Sequence, residues 1–169
     1  QDESSDKTID ALYAFTDCEI SISPNACVIV DHKPVFMGVS DLLRHSTDHT
    51  KELLGKELHI KLDELNEAWH AASLERIFIE NKLYQLIEGC RTREAAYEAV
   101  DKGLETFKSK LRRKVTIEDV QRLTELKFIR ISRYDSEKAD NEIKQIEKDI
   151  KQTKHDLDNL TDYAIAYFE

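Results

Sequence analysis

The sequence predicts a mainly α-helical fold: a long antiparallel coiled-coil arm with a small helical tip, plus a short β-hairpin remnant at the N-terminal side. Three observations predict it. Of 169 residues, 35% are charged and 40% hydrophobic, with only four Gly and two Pro, a profile of long helices with few turns. Small or apolar residues recur at Ala139, Ile143, Ile146, Ile150, Thr153, Leu157, Leu160, Ala164 and Tyr167, in alternating steps of four and three, the seam of a coiled coil. A second single stripe runs through Leu54, Leu58, Leu62, Leu65, Trp69 and Ala72. Neither narrow stripe is stable alone. Residues 41–70 and 136–168, each about 45–50 Å long at 1.5 Å per residue, are matched partners.

In chain order, Gln1–Asp10 reads as a polar lead-in, and Ile9, Leu12, Tyr13 and Phe15 as a short apolar turn. Glu19–Ser23 alternates like a half-buried strand and stops at the turn signal Pro24-Asn25. Ala26–Val30 is an apolar strand, followed by a turn at Asp31-His32-Lys33 and a strand at Val35–Met37. So few strands cannot stand alone, which implies a fragment of a larger protein whose remaining sheet lies upstream. Ser40 is placed to cap a helix running from Asp41 to about Glu88, interrupted only at Gly55 and ended by Gly89 in a left-handed cap. Residues 71–134 are richer in bulky apolar side chains. Thr92 caps a short helix, Thr116-Ile-Glu-Asp119 resembles a capping box with Val115 and Val120 as its staple, and Leu123 to Ile131 continue that helix. Asp135 caps the last helix, in which Asp140→Lys144 and Glu147→Lys151 are spaced as i,i+4 ion pairs. The apolar excess of the tip predicts self-association.

Net charge is −9, against a dedicated nucleic-acid-binding module, but it is unevenly spread. From Thr106 to Tyr134, nine Lys and Arg against three acids give +6, leaving −15 elsewhere. No run approaches the length of a membrane span, and no signal peptide is expected. Three widely spaced cysteines (Cys18, Cys27, Cys90) without a CxxC predict reduced thiols in a cytosolic protein.

Four blocks resemble the A-subunit of the bacterial type IIA topoisomerases, topoisomerase IV and DNA gyrase, most of all the topoisomerase IV type of Bacteroidetes. They run from Leu12 to Asn25, from Arg44 to Thr50, from Ala72 to Asn81 and from Val120 to Leu126, in the family's order. The resemblance implies that residues 1–39 are a lead-in and the end of the tower domain. It makes 41–70 and 136–168 the arm, and 71–134 the exit-gate tip through which two copies of the chain meet. It implies a gate surface around Val120, Leu123, Leu126, Phe128, Ile129 and Ile131. It further implies an ATP-dependent DNA topoisomerase as parent, acting on double-stranded DNA in the bacterial cytoplasm, at the nucleoid. ATP and Mg²⁺ would enter through the partner B-subunit of the topoisomerase, with no cofactor and no metal in this stretch. An acidic arm would repel the transported duplex. The other reading is a structural coiled-coil module docking an unrelated partner, which upstream sequence without an Arg-Tyr catalytic motif would favour.

Several constellations invite chemistry. Arg133-Tyr134 is the only Arg-Tyr pair, but its neighbours do not match the family's catalytic motif, so this stretch carries no catalytic residue and is expected to be inactive by itself. His45 and His49 have a zinc-compatible spacing without further ligands nearby, and read as a solvated helix face. The many Asp residues of the last helix lack EF-hand spacing. The basic run Lys108, Lys110, Arg112, Arg113 and Lys114 is the candidate DNA contact, weighed against a loop that satisfies the acidic arms or the other copy of the chain. The second is the better reading on charge. Trp69 reads as an anchor between arm and tip, and no Gly-rich phosphate loop occurs.

Overall fold

The computed structural model describes residues 4–23 and 25–169, the Phe128 side chain excepted, and divides them into a unit ending at His49 and a unit spanning Thr50–Glu169. The fold class is the expected one: helices throughout, with a single two-stranded hairpin among the described residues.

In the first unit, α1 (Ser5–Phe15) is longer than the apolar turn anticipated. The expected strand at Glu19–Ser23 does not form; this exposed stretch has no neighbouring strand to bond. Pro24 of the predicted turn lies outside the described residues, as do Gln1, Asp2 and Glu3 of the lead-in. Strands β1 (Ala26–Val30) and β2 (Lys33–Met37) pair antiparallel from Val30↔Lys33 to Ala26↔Met37. Asp31 and His32 both have positive φ, 49° and 63°, as a two-residue type I′ turn requires. No described residue up to His49 is fully buried, so the apolar side chains of this unit form no core of their own.

The long helix α2 (Val39–Glu80) differs from expectation at both ends. It starts before Ser40, with the Leu42 N–H donating to the Gly38 carbonyl, and it ends well short of Glu88. Lys82 turns left-handed at φ 53°, and Leu83–Ile87 winds as a 3₁₀ turn. No glycine takes a positive φ, so Gly89 is not the cap. Nor does Gly55 break the helix: a Cβ there would sit 3.2 Å from Leu160 Cδ2, so its small size lets the facing helix approach.

The helices facing α2 are α6 (Ser136–Asp158) and, after Asn159, α7 (Leu160–Phe168), whose first residue is the one that approaches Gly55; one continuous helix was expected. Asn159 leaves helical geometry at ψ 44°, its side-chain amide donating to the His155 carbonyl. The register is antiparallel along its length. Lys51 Nζ donates to Thr161 Oγ1 at 2.6 Å, Trp69 Nε1 to Glu147 Oε1 at 3.0 Å, and Ser136 Oγ to Glu80 Oε1 at 2.6 Å. Trp69, Ile143 and Ile150 form the apolar centre of the pair, with Leu62, Leu65, Ala72 and Ile146 against it.

Between the paired helices lies a helical tip. Here α3 (Arg93–Leu104) is capped by Thr92, and α4 (Ile117–Thr124) by a complete Thr116–Asp119 capping box. The helix expected to continue to Ile131 breaks at Glu125–Lys127 and resumes as α5 (Phe128–Ser132). Leu74, Phe78, Ile79, Leu83, Val100, Leu104, Val120 and Leu123 make the core. Gly103 lets Leu83 and Leu86 come close: a Cβ would lie 2.8 Å from Leu86 Cδ1 and 3.2 Å from Leu83 Cδ2.

Candidate functional site

The segment leading into α4 brings two arginines onto the paired helices. Arg112 lies over the Trp69 ring, its guanidinium carbon 4.1 Å from the centroid, a cation–π contact. Its Nη1 donates to Asn66 Oδ1 at 3.0 Å, and its Nη2 is 3.9 Å from Glu147 Oε1. Arg113 places all five N–H donors. Two go to Glu67, at 2.8 and 2.7 Å; two to Asp119, at 2.7 and 3.0 Å; and one to the Lys114 carbonyl at 3.1 Å. Asp119, only 5% exposed, also accepts from the Thr116 N–H and hydroxyl. Burial opposes its ionisation most strongly, yet Arg113 and Thr116 together hold its carboxyl well below the usual carboxylate range.

His70 lies beneath this cluster, 1% exposed, with Nε2 3.4 Å from Asp119 Oδ2 and neither ring nitrogen hydrogen-bonded among the described residues. Burial, reinforced by the Arg113 charge, lowers its pKa, so the ring is neutral near pH 7. No sequence pattern points to His70. Asp119 is legible in sequence as a cap, but not as the counter-ion of Arg113.

A second cluster ties α2 to the chain around α5 and the start of α6. Arg130 bonds Glu75 in bidentate fashion, and Arg76 pairs with both Glu80 and Asp140. Tyr134, of the Arg-Tyr pair, is half-buried, its hydroxyl without a hydrogen-bond partner among the described residues. Burial, then the Glu80 charge, pushes its phenol up, opposite to what a nucleophilic phenolate needs.

Of the predicted gate residues, Val120 and Leu123 are occupied within the chain's own core, and Leu126 and Ile131 pack half-buried against it. Ile129 is 63% exposed, and the Phe128 side chain lies outside the described residues. The exposed apolar surface of the tip also takes in Ile117 (72%) and Leu86, neither of them among the six predicted gate residues. A cleft of about 570 Å³ beside Ile129 is lined by Glu125, Leu126, Lys127, Arg130 and Arg133.

Of the predicted DNA-contact residues, Arg112 and Arg113 are held by the chain's own acids, and Lys108 lies 3.2 Å from Asp101 and 3.8 Å from Glu105. Lys110 sits 5.6 Å from the Phe107 centroid, and the Lys114 side chain makes no ion pair among the described residues. His45 and His49 stack at 6.4 Å. No group of three or more His, Cys, Asp or Glu among the described residues is placed to hold a metal ion, and no helix is long and apolar enough to cross a membrane.

The second unit is thus a pair of antiparallel helices joined by a compact helical tip that keeps some apolar side chains exposed. The sequence matches the family of DNA gyrase and topoisomerase IV A-subunits over residues 1–169, and the chain belongs to that family. It is similar to the DNA topoisomerase 4 A-subunit of Borreliella burgdorferi, 28% identical over 163 residues that cover 96% of this chain and 26% of that protein. It is also similar to the DNA topoisomerase 4 A-subunit of Staphylococcus aureus, 26% identical over 161 residues, 94% of this chain and 19% of that protein. The chain thus spans about a quarter or less of the length of these relatives.

Proposed function

We propose that this chain is the arm and dimeric exit gate of the DNA breakage–reunion component of an ATP-dependent type II topoisomerase, working with the B-subunit on duplex DNA at the bacterial nucleoid. Membership of the A-subunit family supports the parent activity. The observation that carries the gate reading is the tip itself: a closed core that still leaves Ile117 and Ile129 in water. A second copy would cover them, and an interface of modest apolar area suits a contact that must hold and then part. The first unit, which buries none of its described residues, is read as the end of a tower completed by other parts of the parent.

ATP and Mg²⁺ are assigned to the B-subunit of the parent on the strength of the family resemblance. Tyr134 is left as a packing residue, and the chain alone is expected to cut no DNA.

The test is solution mass by light scattering over a dilution series. The expected result is a dimer that dissociates on dilution, at concentrations at least tenfold higher for Ile129→Asp. A monomer at every concentration would remove the gate from this surface.

A further inference from the structure

Lys144, Lys148 and Lys151 follow one another at i, i+4 and i+7, one face of α6, with His155 continuing the row a turn later. All four are exposed. Opposite them the helix buries Ile143, Ile150 and Thr153, so the row faces away from α2.

The acids spaced to neutralise these lysines are engaged elsewhere. Asp140, four residues before Lys144, is held by Arg76 of α2. Glu147, four before Lys151, accepts from Trp69 and lies beside Arg112. On the flank, Asp149 and Asp156 each accept from a glutamine one turn earlier, Gln145 and Gln152, both at 2.8 Å. Among the described residues, the three lysines have no ion pair or hydrogen bond. The three ammonium groups are therefore left without a direct carboxylate partner among the described residues, a short positive strip on a protein of net charge −9.

We propose that this row is a sequence-independent contact for the phosphate backbone of duplex DNA; the choice of duplex as the polyanion rests on the topoisomerase reading above. The row is about 10 Å long at 1.5 Å per residue, and a duplex carries one charge per roughly 1.7 Å of axis, so several phosphates face it at any position. Lysines act as flexible point charges and read no bases. Glu137 and Asp158 bound the face at the two ends of α6, which confines the footprint and keeps the contact weak. Such a contact guides a duplex without retaining it. The anticipated DNA contact moves from the run at 108–114, whose arginines are bound internally, to the outer face of α6.

The test is fluorescence anisotropy of a labelled duplex titrated with this 169-residue chain at several salt concentrations. Three released counterions predict binding about 40-fold weaker at about 200 mM than at about 50 mM salt. Lys144→Gln/Lys148→Gln/Lys151→Gln should abolish both the binding and its salt dependence, while Lys110→Gln/Lys114→Gln changes neither. Binding lost in the second variant but kept in the first would overturn the proposal, as would no binding by the parent chain. Equal affinity for poly-glutamate would assign the row to acidic proteins and overturn it too. A chain that is monomeric in light scattering yet binds duplex through these lysines would fail the gate and keep the row.

Discussion

Arg113 and Arg112 are neighbours with different consequences. Arg113 neutralises a buried carboxylate, whereas Arg112 meets partners that water also reaches. Arg113→Ala leaves Asp119 charged in a dry site and should cost about 3–5 kcal/mol in urea unfolding. Arg112→Ala should cost about 1 kcal/mol, mostly the contact with Trp69. Equal losses would mean that burial of Asp119 does not set the energetics. His70 adds a pH dependence. Its folded pKa is lowered from 6.5, so below that value the unfolded chain binds the proton more readily. Stability is then fully present above about pH 6.5 and falls with pH towards the folded pKa. The depressed Asp119 adds a second loss, beginning only below its ordinary 3.8. His70→Gln should flatten the limb of a Tm-against-pH curve that begins to fall below about pH 6.5 and leave the more acidic limb due to Asp119. Of this cluster the sequence offered the Thr116–Asp119 cap, because a cap is local, and, from charge alone, the pairing of the basic run with acids of the paired helices, but not which arginine meets which acid. Glu67 and Arg113 meet across 46 residues with no pattern to announce it.

The helices show where periodicity suffices and where it does not. The stripes at Leu54–Ala72 and Ala139–Ile150 predicted pairing because every third or fourth side chain had to be covered, and their register followed. Helix ends were less legible. Apolar residues continue past Glu80, so the pattern runs on although the backbone turns at Lys82. A lysine at φ 53° bears a steric cost that glycine does not, so Lys82→Gly should stabilise by about 1 kcal/mol and raise Tm by a few degrees. No gain would mean that glycine's larger unfolded-state entropy cancels the relief. The break at Asn159 was equally hidden, since the four-three spacing runs straight through it. Glu19–Ser23 alternates correctly yet forms no strand, because alternation specifies a face and not a neighbour.

At the scale of the molecule, the tip's two kinds of apolar residue separate folding from association. Val120→Asp would place a charge in the core and unfold the tip, whereas Ile129→Asp lies in water and should shift stability by no more than about 0.5 kcal/mol while weakening the dimer. Circular dichroism melts beside the dilution series separate the two effects; an Ile129→Asp chain that melts early would make any loss of dimer uninformative about the surface. The order of the chain also has a cost in time. Lys51 meets Thr161 across 110 residues, and Trp69 meets Glu147 across 78, so the stripe of α2 leaves the ribosome long before its cover exists. At about 5–20 residues per second, its outermost contacts wait roughly 5–20 s. During that interval Leu54, Leu58 and Leu62 are open to whatever apolar surface comes first, including the same stripe on a sister chain of the same polysome.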